Sequence, residues 1–93
     1  MEGHAILKDK SNLEKGLFGL WAIRTAVGEA GKEVSRTNLA RFLWLAFEIR
    51  VGGSNLVRAL RVKEAKDRVE NVHGVTFQIL PPGINYAKEL AGL

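Results

Sequence analysis

The stretch Gly52–Arg61, GGSNLVRALR, limits what this chain can fold into more than any other. Two adjacent glycines interrupt whatever precedes them, because glycine loses most backbone entropy when held in a helix. The residues that follow divide at helical spacing. Leu56, Val57, Ala59 and Leu60 point one way, and Ser54, Asn55, Arg58 and Arg61 point the other. A helix divided like this buries its apolar side in a core and offers its basic, hydrogen-bonding side to something else. Ser54 stands where it could cap such a helix. Past Arg61 the pattern shifts: Val62, Ala65 and Val69 would fall on the polar side of a straight continuation. The helix is therefore expected to end or bend between Lys63 and Arg68.

Charge concentrates on the same region. The chain carries a net charge of +4. Between residues 50 and 68 lie Arg50, Arg58, Arg61, Lys63, Lys66 and Arg68, against Glu64 and Asp67 alone. The remaining basic and acidic residues balance, so this one segment holds the whole net charge. Localised positive charge is the footprint of a polyanionic partner.

Other classes are less compatible with the sequence. A length of 93 residues allows one domain, and 46% hydrophobic content suits a folded one. There is no cysteine, which excludes disulfides, cysteine-held zinc and thiol chemistry, and agrees with a cytoplasmic protein. No apolar run approaches the ~20 residues of a membrane span, so no membrane association is expected. The opening MEGHAILKDK lacks a basic start followed by an apolar run, so no signal peptide is expected. His4 and His73 are far apart and have no carboxylate at helical or hairpin spacing. GEAGK, Gly28–Lys32, lacks the spacing of a phosphate loop. Neither an enzyme, nor a cofactor, nor a metal site is expected.

The other elements follow from local signals. Residues 1–10 are expected to form an N-terminal arm, with HAIL as a short strand or an extra helical turn. Ser11 and Glu14 have capping-box spacing, and Leu13, Leu17, Leu20, Trp21 and Val27 form a stripe. A first helix over 11–27 is expected, closed by Gly28 and Gly31. Phe18 lies outside that stripe. A second helix is expected over 36–49, capped by Ser35 or Thr37 and facing inward through Leu39, Phe42, Leu43, Ala46 and Phe47. Trp44 and Leu45 fall off that face, and a second subunit is one way to cover them; Trp44 and Phe18 are the candidate dimer contacts. Val69–Val72 and Val75–Leu80 suggest a hairpin around His73 and Gly74. PPG stops its second strand, and GINYAKELAGL reads as a final helix with Ile84, Ala87 and Leu90 inward.

The expected fold is therefore mainly α with a β-hairpin: arm, three helices, two-stranded hairpin, C-terminal helix. This order resembles the winged helix-turn-helix superfamily, over residues 11–93. SNLVRAL is similar to the start of its recognition helix. TFQILPPGINYAKEL is similar to the second wing strand and following helix of PadR-like and MarR-like regulators. Phe77, Ile79, Gly83 and Tyr86 fill the aromatic, apolar, glycine and aromatic places, while Leu80 stands where those regulators carry a threonine. In size and layout the chain is also similar to small site-binding adaptors of archaeal plasmid partition cassettes.

The resemblance implies a DNA-binding domain whose third helix enters the major groove. It makes Ser54, Asn55, Arg58 and Arg61 the reading face. Arg58 suits a guanine edge and Asn55 an adenine edge. Lys63, Lys66 and Arg68 would meet the phosphate backbone. His73 at the wing tip, and Ser35, Arg36 and Thr37 at the start of the second helix, complete the candidate contacts. The implied partner is palindromic double-stranded DNA bound by a homodimer, with a partition or transcription protein as a further partner. The alternative is a winged helix that binds a protein through Trp44 and Leu45 and no DNA.

Overall fold

The computed structural model describes residues 2–93. In chain order the elements are α1 (Glu2–Leu7), α2 (Asn12–Val27), a 3-10 turn (Gly28–Gly31), β1 (Val34–Ser35), α3 (Arg36–Phe47), α4 (Gly53–Leu60), a second 3-10 turn (Lys63–Ala65), β2 (Val69–His73), β3 (Thr76–Ile79) and α5 (Pro81–Leu90). The described residues are mainly helical, with five helices and a small three-stranded antiparallel sheet.

Helix α2 starts where its capping box predicts. Glu14 N–H donates to Ser11 Oγ at 3.2 Å, and Ser11 N–H donates to Glu14 Oε1 at 3.1 Å. These reciprocal bonds satisfy amides that a helix start otherwise leaves free. Leu17 and Leu20 are buried as the stripe predicts, whereas Val27 is 54% exposed at the helix end. Helix α2 packs against α3, α4 and α5, so it forms the central strut. Being covered on several sides, it also buries Phe18. Phe18 is core rather than a dimer contact, with its ring edge-on to Trp21 at 5.4 Å and to Phe47 at 5.5 Å. In a 93-residue chain the core is small, and each buried large side chain contributes about 1.5–3 kcal/mol.

The expected arm is a docked helix. Met1 lies outside the described residues. Leu7 is fully buried, and Gly3 lies so close to the Phe47 ring that a Cβ there would collide with it. His4 Nδ1–H donates to the Phe47 carbonyl at 3.1 Å, which satisfies an acceptor at the end of α3.

Helix α3 begins behind Ser35, whose Oγ accepts from Asn38 N–H at 3.2 Å, so Ser35 and not Thr37 is the cap. It ends at Phe47, two residues earlier than expected. Glu48 takes the left-handed conformation, φ 56°, and the Ile49 N–H reaches back to the Leu43 carbonyl at 3.1 Å. That closure usually uses glycine. The tight turn before α4 therefore rests on Glu48, while Gly52 serves as the extended N-cap of α4.

The sheet has three strands where a two-stranded hairpin was expected. Its order is β1-β3-β2. Val34 pairs with Phe77 and Ser35 with Thr76, so two residues before α3 tie that helix to the hairpin. The hairpin occupies its expected place, with Gly74 at φ 57° in the turn. Its register slips between Asn71 and His73. After β3, Pro81 and Pro82 open α5 as its first residues, where a missing N–H costs nothing.

Candidate nucleic-acid interface

Helix α4 keeps the division seen in its sequence. Leu56 is fully buried, Leu60 and Val57 nearly so, while Ser54, Asn55 and Arg58 are exposed. The helix ends at Leu60, earlier than expected, with Arg61 as its C-cap. The chain then turns through Lys63–Ala65, and this break buries Ala65 and Val69, which a straight helix would have left on the polar side. No side chain caps the start of α4. Ser54 is not the cap, because Gly52 occupies that position and Ser54 lies inside the helix, leaving its hydroxyl exposed.

Three segments meet around this helix. The Arg36 stem lies beside its start: a Cβ on Gly53 would sit 3.4 Å from Arg36 Cγ and Cδ. Arg36 N–H donates to the Val75 carbonyl at 2.9 Å, so the same residue touches the hairpin through its backbone. At the other end of α4, Arg61 Nε–H donates to Asn71 Oδ1 at 3.1 Å, and Arg61 Nη2–H donates to the Gly74 carbonyl at 2.6 Å. Ser35, Arg36 and Thr37, the exposed side of α4, and the turn bearing His73 are thus joined into one region.

Two expected DNA contacts change role, Arg61 of the reading face and Arg68 of the backbone contacts. Arg61 is engaged with the hairpin and does not stand free beside Arg58. Arg68 is half-buried, with its guanidinium 4.5 Å over the Tyr86 ring. Tyr86 OH in turn donates to Glu14 Oε2 at 2.8 Å. Arg68 therefore joins the α2–α5 seam and leaves the set of exposed charges. The bonds from Ser11 and Tyr86 hold the Glu14 carboxyl below its ordinary pKa, against a smaller opposing effect of burial. The same bond to Glu14, together with burial, raises Tyr86.

Lys63 and Lys66 remain exposed. With Arg61, Glu70 and Asn71 they edge a cleft of about 380 Å³ whose apolar lining includes Leu60, Val69 and Leu80. Among the described residues the ion pair found is Arg24–Glu29 at 2.8 Å, so Arg58, Lys63 and Lys66 have no acidic partner. Unpaired exposed charges like these attract anions over a Debye length of about 8–10 Å at physiological salt. Among the described residues no cluster of histidines and carboxylates suits a metal ion.

Asn71 is a further residue of this region, outside the basic and helix-face patterns of the sequence. Its amide donates to the Gly74 carbonyl at 2.7 Å and to the Thr76 carbonyl at 3.0 Å. An asparagine three residues before a turn glycine is a usable signal, since asparagine often bonds the backbone of its own turn.

A second surface lies on the outside of α3. Trp44 is 45% and Leu45 69% exposed, and the Arg50 guanidinium sits 4.6 Å over the Trp44 ring. Ile23, Phe42, Leu45 and Ala46, with Asn38 and Arg41, line a shallow apolar groove of about 450 Å³.

No protein-family model matches the chain, and no curated protein or solved structure matches it either. No helix among the described residues is long and apolar enough to cross a membrane.

Proposed function

We propose that the chain is a winged helix-turn-helix protein that binds double-stranded DNA, with α3 and α4 as the helix-turn-helix and β2–β3 as the wing. The observation that carries this reading is the surface around α4. Exposed Ser54, Asn55 and Arg58, with Arg58 unpaired, stand between Arg36 and the hairpin turn, on the segment that holds the net charge. In this reading α4 enters the major groove and Arg58 and Asn55 meet base edges. Lys63, Lys66 and Arg36 lie along phosphates, Ser35 and Thr37 bond the backbone, and His73 reaches the flanking groove.

Two copies related by a two-fold axis would read half-sites about 34 Å apart. Trp44 is the proposed contact between copies. The biological setting is transcription regulation or site binding in DNA partition, in the cytoplasm. The alternative is a protein-interaction module, favoured by the apolar groove and Leu45 on α3.

Sequencing the genomic fragments retained by the protein, followed by gel shifts at low and moderate salt, tests the proposal. Enrichment of one palindromic sequence, bound more weakly as salt rises, supports it. No retained fragment and no shift at low salt favours the alternative. A single discrete footprint points to regulation, and spreading from the site to partition.

A further inference from the structure

The geometry points to a positioning role for Arg61 and Asn71. We propose that they form a latch fixing the hairpin turn against the end of α4, so that a duplex meets helix and hairpin as one rigid surface. This rests on the DNA-binding reading above.

The latch is built from four hydrogen bonds. The Gly74 carbonyl accepts from both Arg61 Nη2 at 2.6 Å and Asn71 Nδ2 at 2.7 Å, which uses both of its lone pairs. Asn71 Nδ2 also donates to the Thr76 carbonyl at 3.0 Å, and Asn71 Oδ1 accepts from Arg61 Nε at 3.1 Å. Asn71 stands where the strand register slips, so the ladder gives least support there. His73 and Gly74 are exposed, and of the residues flanking them the half-buried Val75 packs against the core. The start of α3 holds one side of the hairpin through Arg36 N–H and the Val75 carbonyl, and Arg61, at the end of α4, holds the exposed tip at Gly74.

This arrangement separates two arginines on one helix. Reading guanine takes two parallel donors from a free guanidinium. Arg58 has that freedom, whereas Arg61 has committed its Nε and one Nη. Arg61 thus contributes a fixed hairpin and a fixed charge, and Arg58 contributes selection. Lysine is a poor replacement for Arg61, because its donors radiate from one nitrogen on a flexible stem, whereas the guanidinium holds Nε and Nη2 in a fixed planar fork.

The test uses duplexes selected from a random pool by the full chain. Affinities of wild type, Asn71→Ala, Arg61→Lys and the double variant are measured for selected and scrambled duplexes across a salt series. Amide hydrogen exchange at residues 72–76 is followed in the free proteins. Each single variant should weaken both duplexes by about 3- to 10-fold, the cost of ordering one or two groups on binding. Since neither substitution removes charge, the salt slope and the selected-to-scrambled ratio should stay at wild-type values. The double variant should be no weaker than either single one, because both break the same unit. Exchange at 72–76 should quicken in all three variants.

Wild-type or tighter binding by Asn71→Ala overturns the proposal, because freeing Arg61 would then cost nothing. A selected-to-scrambled ratio that falls only in Arg61→Lys overturns it in favour of direct reading. If wild type selects no duplex, the DNA-binding reading fails and this role fails with it. Unchanged exchange in Asn71→Ala overturns the latch itself, whatever the DNA result.

Discussion

Helices α3 and α4 lie either side of one short turn and use their inner faces alike. Leu39 and Leu43 of α3 are fully buried, as is Leu56 of α4. Their outer faces differ. Every strongly exposed side chain of α4 is polar or charged, whereas α3 exposes Trp44 and Leu45 beside an apolar groove. The outside of α4 is polar and positively charged. The outside of α3 leaves apolar surface in water, which a partner protein would cover at a gain. Two helices of similar packing thus present one polar and one apolar outer face, and substitutions on each face can separate what they do.

The largest effect should come from the faces the helices share. Leu43→Ala and Leu56→Ala should each lower stability by about 2–5 kcal/mol in chemical denaturation, through lost burial and a cavity. Equal costs would support the view that the two helices differ only outside.

Arg58→Ala and Lys66→Ala probe the polar side. Both should leave stability within about 0.5 kcal/mol of wild type, as exposed residues without partners do. Arg58→Ala should weaken binding to the selected duplex by about 1–3 kcal/mol and relax base preference. Lys66→Ala should weaken all duplexes evenly and lower the salt slope by about 1. Fluorescence anisotropy titrations measure both.

On the outside of α3, Trp44→Lys should disrupt self-association in sedimentation velocity while lowering the stability of the single chain by about 1 kcal/mol, through the lost Arg50 contact. Aromatic anchors of this kind often dominate an interface. Unchanged association would remove Trp44 from the dimer contact.

The smallest effect lies away from both helices. The folded-state pKa of Glu14 is lowered from its ordinary 4.5, so its contribution to stability is present above that pH and is lost as pH falls through the lowered value. The folded-state pKa of Tyr86 is raised above its ordinary 10.0, so its contribution is present below pH 10.0 and is lost as pH rises through the raised value. Tyr86→Phe should therefore lower stability in the neutral region, where the bond is intact, and should flatten the alkaline limb more than the acid limb, since the Ser11 backbone bond to Glu14 remains. Thermal melts between acid and alkaline pH measure this.

The residues that announced themselves in the sequence act within one or two turns of chain. Ser11 with Glu14, the split of α4, and Gly74 between two β-prone runs each carry a local cause, and each sits where that cause predicts. What stayed hidden depends on distant partners. Val34 and Ser35 are too few to show a strand period, and they become a strand only because β3 lies beside them. Phe18 fell off the stripe of α2, yet a helix enclosed on several sides buries more than a stripe. Glu48 took the left-handed position while Gly52 and Gly53 drew attention. Arg61 and Arg68 looked like two more surface cations. Their roles depend on Asn71, 10 residues from Arg61, and on the Tyr86 ring.

Mapping amide chemical shifts of the chain as a selected duplex is added shows which face meets DNA. The largest shifts should cluster at residues 53–61, 63–66 and 71–76 and at the start of α3, with residues 41–46 changing least. Shifts centred on Phe42, Leu45 and Ala46, or no shift under low-salt conditions, would contradict it.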